Sequence, residues 1–256
     1  AILDKMASDL SGLDPSVLVM SSHPIDGRSQ PDAEARIYQI GLAYLKRNKN
    51  LEALPYFEHI VQINPRHGGA LHLLGIISYN LGDSKLAVDW MLQSLEINPY
   101  NSDAFYDCGI ALQAIGLDDQ ACLSYEQAIA IKPDFVQAHY NLGNAAANLG
   151  QNDLALSSYE QATTLDSRHY KAWYNRANLL LKLKQHEQAI SCYERVIELM
   201  PEFVEAYNNL GNTWREINKF ESAISCYKTA LSIDAKFTDA YINQGSTLYD
   251  LQEING

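Results

Sequence analysis

Hydrophobic and small residues recur along this chain on a period of 34, with polar stretches between them. The clearest copy runs from Val136 to His169, where His139 to Asn144 opens one helix and Leu154 to Ala162 forms a second. Within each copy an alanine falls at position 20, a large ring or Met at 24 and usually a small residue at 27. Spacings of four and three place those residues on one helix face. Position 8 reads Gly41, Gly75, Gly109, Gly143, Ala177, Gly211 and Gly245, and position 20 reads Ala53, Ala87, Ala121, Ala155, Ala189 and Ala223. Position 24 reads Phe57, Met91, Tyr125, Tyr159, Tyr193 and Tyr227. A fixed period of this length predicts a solenoid of identical hairpins.

Two helices per copy are expected, helix A over positions 2–14 and helix B over about 17–30. The small residue at position 8 is expected to face the alanine at position 20, letting the two helices approach closely. The small residues at 27 (Ser94, Ala128, Ala162, Ala230) do the same toward the next helix A, and Ile60 and Val196 predict looser or repacked junctions. Pro65, Pro99, Pro133 and Pro201 at position 32 end helix B, because the residue before a proline is pushed out of the helical region.

This small–small–aromatic–small–Pro pattern resembles the tetratricopeptide repeat (TPR). The resemblance covers residues 34–237 as six full units starting at 34, 68, 102, 136, 170 and 204, plus the first helix of a seventh from Thr238. It implies an all-α solenoid, a right-handed superhelix with the A helices lining a concave inner face, and a role in binding other proteins. The array is assigned to residues 31–256 and a non-repeat arm to residues 1–30.

In the arm, Ile2, Leu3, Met6, Leu10 and Leu13 lie at helical spacing, and Val17 to Met20 is apolar. It is expected to pack on the first repeat or to lie in the groove, since a solenoid must cover its open ends. Ser22-His23-Pro24 with Arg28 also resembles a stretch near the end of zinc metallopeptidase domains that precede TPR arrays, although no His-Glu-x-x-His is present. After Leu251 the sequence stops where a second helix is due, and continuation of the natural chain beyond Gly256 is expected.

A net charge of −12 and a pI near 4.9 argue against duplex nucleic acid as a partner. No apolar run reaches the length of a bilayer span. The four cysteines form no Cys-x-x-Cys pair and read as reduced packing residues, which favours the cytoplasm, with the periplasm second. No metal-ligand spacing, phosphate loop, cofactor fingerprint or nucleophile elbow occurs, so no catalysis, metal or cofactor is expected.

Positions 6 and 9 of helix A lie three apart, on one helix face. They read Asn141 and Asn144, Asn175 and Asn178, Asn209 and Asn212, with Asn243 beginning the next pair. Asparagine is a poor residue for a helix interior, so this recurrence needs a cause. One cause is stacking, each position-6 amide bonding a neighbouring repeat. The other is binding: an amide carries both donor and acceptor and can pair with a peptide backbone whatever side chains follow. Tyr106, Tyr140 and Tyr174 at position 5 are candidates for added contact with such a ligand.

This ladder resembles the TPR arms of O-linked N-acetylglucosamine transferases and related bacterial multi-repeat glycosyltransferases. The resemblance is best over 136–256 and fades earlier, where positions 6 and 9 are Gln39/Leu42, Leu73/Ile76 and Asp107/Ile110. The two-carboxylate clamp of chaperone-binding TPR proteins is not matched, since position 5 is never Lys and position 6 never Arg. Acids such as Asp103, Asp107, Glu205, Glu216, Asp239 and Asp250 on the inner face favour a neutral or basic protein or extended peptide. Two other readings stand beside the peptide-binding scaffold. One is a substrate-recruiting arm of a larger enzyme, a glycosyltransferase before a metallopeptidase. The other is an assembly scaffold that forms homo-oligomers through the arm or the exposed last helix.

Overall fold

A computed structural model describes residues 30–255, and these fold as thirteen α-helices without a strand. Residues 1–29 of the proposed arm lie outside the described residues, and Gln30 begins the first helix. The helices are α1 (Gln30–Leu45), α2 (Asn50–Ile63), α3 (Gly68–Asn80), α4 (Ser84–Ile97), α5 (Ser102–Ala114), α6 (Asp118–Ile131) and α7 (Val136–Asn148). They continue as α8 (Asn152–Leu165), α9 (Tyr170–Lys182), α10 (His186–Leu199), α11 (Val204–Glu216), α12 (Phe220–Ile233) and α13 (Thr238–Asn255). Odd-numbered helices are the A helices and even-numbered ones the B helices. Each B helix keeps the expected span, whereas the interior A helices start one residue earlier than expected.

Every helix packs on its two chain neighbours, and successive A helices from α3 to α13 also touch across the repeat boundary. Among the described residues no two B helices meet to that extent. The A helices therefore lie on the inside of the superhelical curve.

The turn from A to B uses one device throughout. Asn48, Gly82, Gly116, Gly150, Lys184 and Asn218, all at position 15, have φ between 55° and 91°. That left-handed residue closes a helix C-terminus, and glycine or asparagine takes it at least cost. At the same register α13 carries Gln252 and runs on helically to Asn255, past the expected stop near Leu251.

Helix B ends as predicted. Asn64, Asn98, Lys132 and Met200, each before a proline, cap it with ψ of 78–88°. Ser167 and Ala235 replace the proline, yet Asp166 and Asp234 adopt the same extended conformation. There the carboxylates accept from the backbone N–H of Arg168 and Lys236, both at 2.9 Å, a shorter form of the turn that Asn64 and Asn98 make beside their prolines at 3.3 and 3.2 Å.

One expectation is corrected. Position 8 faces chiefly the position-24 side chain, and at Gly75 the position-20 alanine stands next to it as well, where Ala87 O would lie 3.1 Å from an added Cβ. A Cβ added to Gly41, Gly109, Gly143 or Gly211 would stand 2.5–2.6 Å from Phe57, Tyr125, Tyr159 or Tyr227. At Gly75 the clash would be with Met91, also at 2.6 Å. The glycine is a seat for a ring. The bulkier Ile60 and Val196 at position 27 are fully buried, and Ile60 joins one core cluster with Ala70 of the next helix A, so that junction is repacked rather than open.

Cys108, Cys122 and Cys192 are buried and Cys226 half-buried, all unpaired. Burial pushes the Cys108, Cys122 and Cys226 thiols up to about 11 and raises Cys192 as well, so all four are thiols at neutral pH. No described helix is long and apolar enough to cross a membrane.

Candidate functional site

The inner face is built on a repeated handshake between adjacent A helices. Position 5 of one repeat hydrogen-bonds position 6 of the next five times in succession. His72 meets Asp107 at 2.8 Å, and Asn141 Nδ2 donates to Tyr106 Oη at 3.3 Å. Asn175 Nδ2 donates to Tyr140 Oη at 3.3 Å, Asn209 Nδ2 to Tyr174 Oη at 3.0 Å, and Asn243 Nδ2 to Asn208 Oδ1 at 2.9 Å. Position 6 thus contributes to stacking, one of the two causes weighed for it.

Position 9 serves the hairpin from within. Tyr159 Oη donates to Asn144 Oδ1 at 2.9 Å, Tyr193 Oη to Asn178 Oδ1 at 2.6 Å and Tyr227 Oη to Asn212 Oδ1 at 2.9 Å. The ring that sits over the position-8 glycine has a buried hydroxyl, and that hydroxyl needs an acceptor. Where position 9 is Ile110, the Tyr125 hydroxyl turns to Gln113 Oε1 at 2.6 Å. Where position 24 is Phe57 or Met91, no hydroxyl exists and position 9 is apolar, Leu42 or Ile76. Burial raises the phenols of Tyr125, Tyr159 and Tyr193 well above their ordinary range, which keeps them as donors.

The two systems share atoms. Asn175 Nδ2 also donates to Asn144 Oδ1 at 2.8 Å, and Asn209 Nδ2 to Asn178 Oδ1 at 3.1 Å. Asn144 with Asn175, and Asn178 with Asn209, are thereby tied amide to amide. Among the described residues, Oδ1 of Asn141 and Asn175 and Nδ2 of Asn144 and Asn212 make no hydrogen bond. None of these atoms is sealed from solvent. Asn209 Oδ1 accepts weakly from Asn208 at 3.3 Å, and Asn178 lies beside the Tyr174 hydroxyl. All seven asparagines of the ladder are half-buried.

Tyr106, Tyr140 and Tyr174 are half-buried members of a ring stack. Phe135, His169 and Phe203, at the last position of each repeat, lie 4.7, 4.8 and 4.8 Å from them, centroid to centroid. On the other side stand Tyr125, Tyr159 and Tyr193 at 6.0–6.2 Å. His169 also caps α9, its Nδ1 accepting from Ala172 N at 3.1 Å, and His67 caps α3 in the same way at 2.9 Å. These histidines serve helix ends, and among the described residues no group of three His, Cys, Asp or Glu is placed to hold a metal.

Several inner acids have partners. Asp107 pairs with His72, and Asp250 with Arg215 at 2.7 Å. Glu216 accepts from Lys184 at 2.8 Å and His186 at 2.9 Å. Burial alone would raise its carboxyl, and those two donors outweigh burial and hold it below the ordinary value. Asp103, Glu205 and Asp239 at position 2 stay exposed, with Lys171 in the same register. Toward the C-terminal end the groove opens into a cavity of about 680 Å³ lined by Asn212, Arg215, Phe220, Asn243 and Asp250 among others.

Sequence reasoning missed the pairing of position 9 with position 24. Its signal was present, because Asn at 9 occurs only where 24 is Tyr.

Stacked helical hairpins with a polar inner rail define a solenoid scaffold. Tetratricopeptide repeat models match residues 38–102, 118–150, 136–169, 170–203 and 204–237. The chain belongs to the tetratricopeptide repeat family. No curated protein sequence matches it. Among solved structures it is similar to the C-terminal part of a TPR repeat-containing protein from Cytophaga hutchinsonii, with a TM-score of 0.74 and 19% identity over 85% of this chain and 88% of that one. It is similar to pilF of Pseudomonas aeruginosa, with a TM-score of 0.69 and 17% identity over 84% of this chain and 98% of that one. It is also similar to YrrB, described as a TPR protein with an unusual peptide-binding site, with a TM-score of 0.67 and 20% identity over 74% and 97%.

Proposed function

We propose that the chain is a non-catalytic scaffold that holds an extended protein segment, neutral to basic in character, along the inner face of repeats four to seven. The observation that carries this reading is that the ladder amides are only half used by the protein's own hydrogen bonds. Bonds within and between repeats take one end of each key amide and leave the other without a protein partner: Oδ1 on Asn141 and Asn175, Nδ2 on Asn144 and Asn212. A peptide unit offers the complementary N–H and C=O, and a groove that presents both in set positions binds backbone without reading side chains.

Spacing fits. Packed helices lie about 10 Å apart, which matches three residues of an extended chain at roughly 3.3 Å each. Four such bonds contribute on the order of 2–6 kcal/mol, and ordering the segment removes about 1–2 kcal/mol per residue. Weak, sequence-tolerant capture follows. The exposed Asp103, Glu205 and Asp239 favour lysine or arginine in the segment. YrrB, a structure of similar fold described as a TPR protein with an unusual peptide-binding site, supports a peptide as the class of ligand.

The test replaces two rungs, giving up the Asn175–Asn144 bond and keeping the position-5 to position-6 bonds between repeats. Asn144→Leu with Tyr159→Phe and Asn212→Leu with Tyr227→Phe reproduce the Leu42/Phe57 pairing that the first repeat already uses. An array of unstructured peptides, half of them lysine-bearing, is probed with wild type and with this quadruple variant, helicity being checked by circular dichroism. Expected is capture by wild type and a loss of roughly tenfold or more in a variant of unchanged helicity. Equal capture by both would reject the ladder as a site.

A further inference from the structure

Helix α13 carries an exposed apolar face. Tyr241, Ile242, Leu248 and Tyr249 are 43–64% exposed, and no other described helix exposes more than two large apolar side chains. At about 100° per residue these four lie within roughly 60° of Gly245 around the helix axis, two on each side. Gly245 is itself exposed, and a Cβ added there would meet nothing within 4 Å. In the complete repeats the same positions are covered. Their position-8 glycines are buried under the position-24 side chain of helix B. Ser78, Leu112, Ala146 and Leu180, at the position where α13 has Leu248, are buried as well. The face of α13 is thus an uncovered copy of a joint that the chain builds repeatedly.

We propose that this face docks an amphipathic helix of a partner protein, one that carries a small residue, an aromatic four residues later and basic residues along one edge. Two observations select that occupant. The first is what covers the matching faces. In the complete repeats the covering helix has an alanine at position 20 and, four residues on, a side chain such as Phe57, Tyr125, Tyr159 or Tyr227 against a position-8 glycine. Gly245 offers the same seat to the same kind of ring. The second is charge. Helix α13 has Asp239, Asp250 and Glu253 and no lysine or arginine. The exposed Asp239 and Glu253 fall on one edge of the face, beyond Ile242 and Tyr249. Lysine or arginine along the facing edge of a guest helix matches them. A second copy of α13 does not. Docked antiparallel, as helix B is, it would set its acidic edge beside the same edge of the first, because a twofold axis repeats the same patch on both sides. The face lies apart from the amide ladder, and the inference does not rest on that reading.

The probe is a fluorescent peptide of α12 length that keeps the packing face of α12, Ala223, Tyr227 and Ala230, and carries lysine at its remaining polar positions. Binding to the full chain is followed by anisotropy, and peptide helicity by circular dichroism, since a helix this short is marginal alone. Expected is saturable binding with a gain in helicity. Alanine in place of the peptide's tyrosine should weaken it about tenfold or more, and glutamate in place of its lysines by a similar factor. Gly245→Leu in the chain, where the added side chain has room, should also weaken it about tenfold with an unchanged thermal melt. The Asn144→Leu/Tyr159→Phe pair should leave binding unchanged, which separates this face from the ladder. No binding, or binding indifferent to Gly245→Leu, would overturn the proposal. So would a dimer of the chain alone in sedimentation that Gly245→Leu abolishes, which would assign the face to a second copy.

Discussion

The hydroxyl of Tyr159 and the side-chain nitrogen of Asn175 converge on a single oxygen, Asn144 Oδ1, at 2.9 and 2.8 Å. One atom thereby ties helix A to helix B of its own repeat and to helix A of the next. Its loss should be felt at both joints.

Asn144→Leu alone strands the buried Tyr159 hydroxyl, and an unpaired buried donor costs about 1–3 kcal/mol. Adding Tyr159→Phe removes the orphan and restores the pairing of Leu42 with Phe57. Urea denaturation is expected to show the double variant more stable than Asn144→Leu. A double variant as unstable as the sum of the two singles would contradict this account.

Gly143 lies against the Tyr159 ring, and a methyl group there would come within 2.6 Å of it. Gly143→Ala is expected to lower stability by roughly 1–3 kcal/mol and Gly143→Leu by more. Gly245 has no such neighbour, so Gly245→Ala should be neutral or slightly stabilising through helix propensity. Thermal melts of the two alanine variants give the comparison.

At the A-to-B turn, Lys184 holds φ of 60° and Gly116 holds 77°. A side chain in that region costs roughly 1–2 kcal/mol. Lys184→Gly is therefore expected to stabilise despite the loss of an exposed ion pair to Glu216, and Gly116→Ala to destabilise. Opposite shifts in melting temperature check both.

Alkaline pH should weaken the fold in two stages. The buried thiols rise from an ordinary 9.0 to about 11, and burial raises Tyr125, Tyr159, Tyr193 and Tyr227 above an ordinary 10.0. A group whose pKa rises on folding contributes fully below its unfolded value and loses that contribution as pH climbs through the folded one. Melting temperature is expected to begin falling near pH 9 and to fall more steeply above 10. The Asn144→Leu/Tyr159→Phe variant should show a shallower upper limb.

The period, the helix count and the stops at Pro65, Pro99, Pro133 and Pro201 were legible because each rests on backbone rules acting locally. The partner of Gly143 was not, because position 20 and position 24 lie on the same face one turn apart and only packing chooses between them. The asparagines were visible as a row. What they bond was hidden, since a side chain's direction depends on a neighbour 31 or 35 residues away. Position 15 could have been read from Gly82, Gly116 and Gly150 together with Asn48 and Asn218, the residue types that tolerate a left-handed turn.

The handshakes from His72–Asp107 to Asn208–Asn243 all lie on the inner arc, where successive A helices approach one another. Pulling the ends of the superhelix apart therefore loads five comparable joints in series, and each takes only a fraction of the total extension. A coil assembled this way is expected to act as a spring, spreading an extension over its joints rather than concentrating it at one.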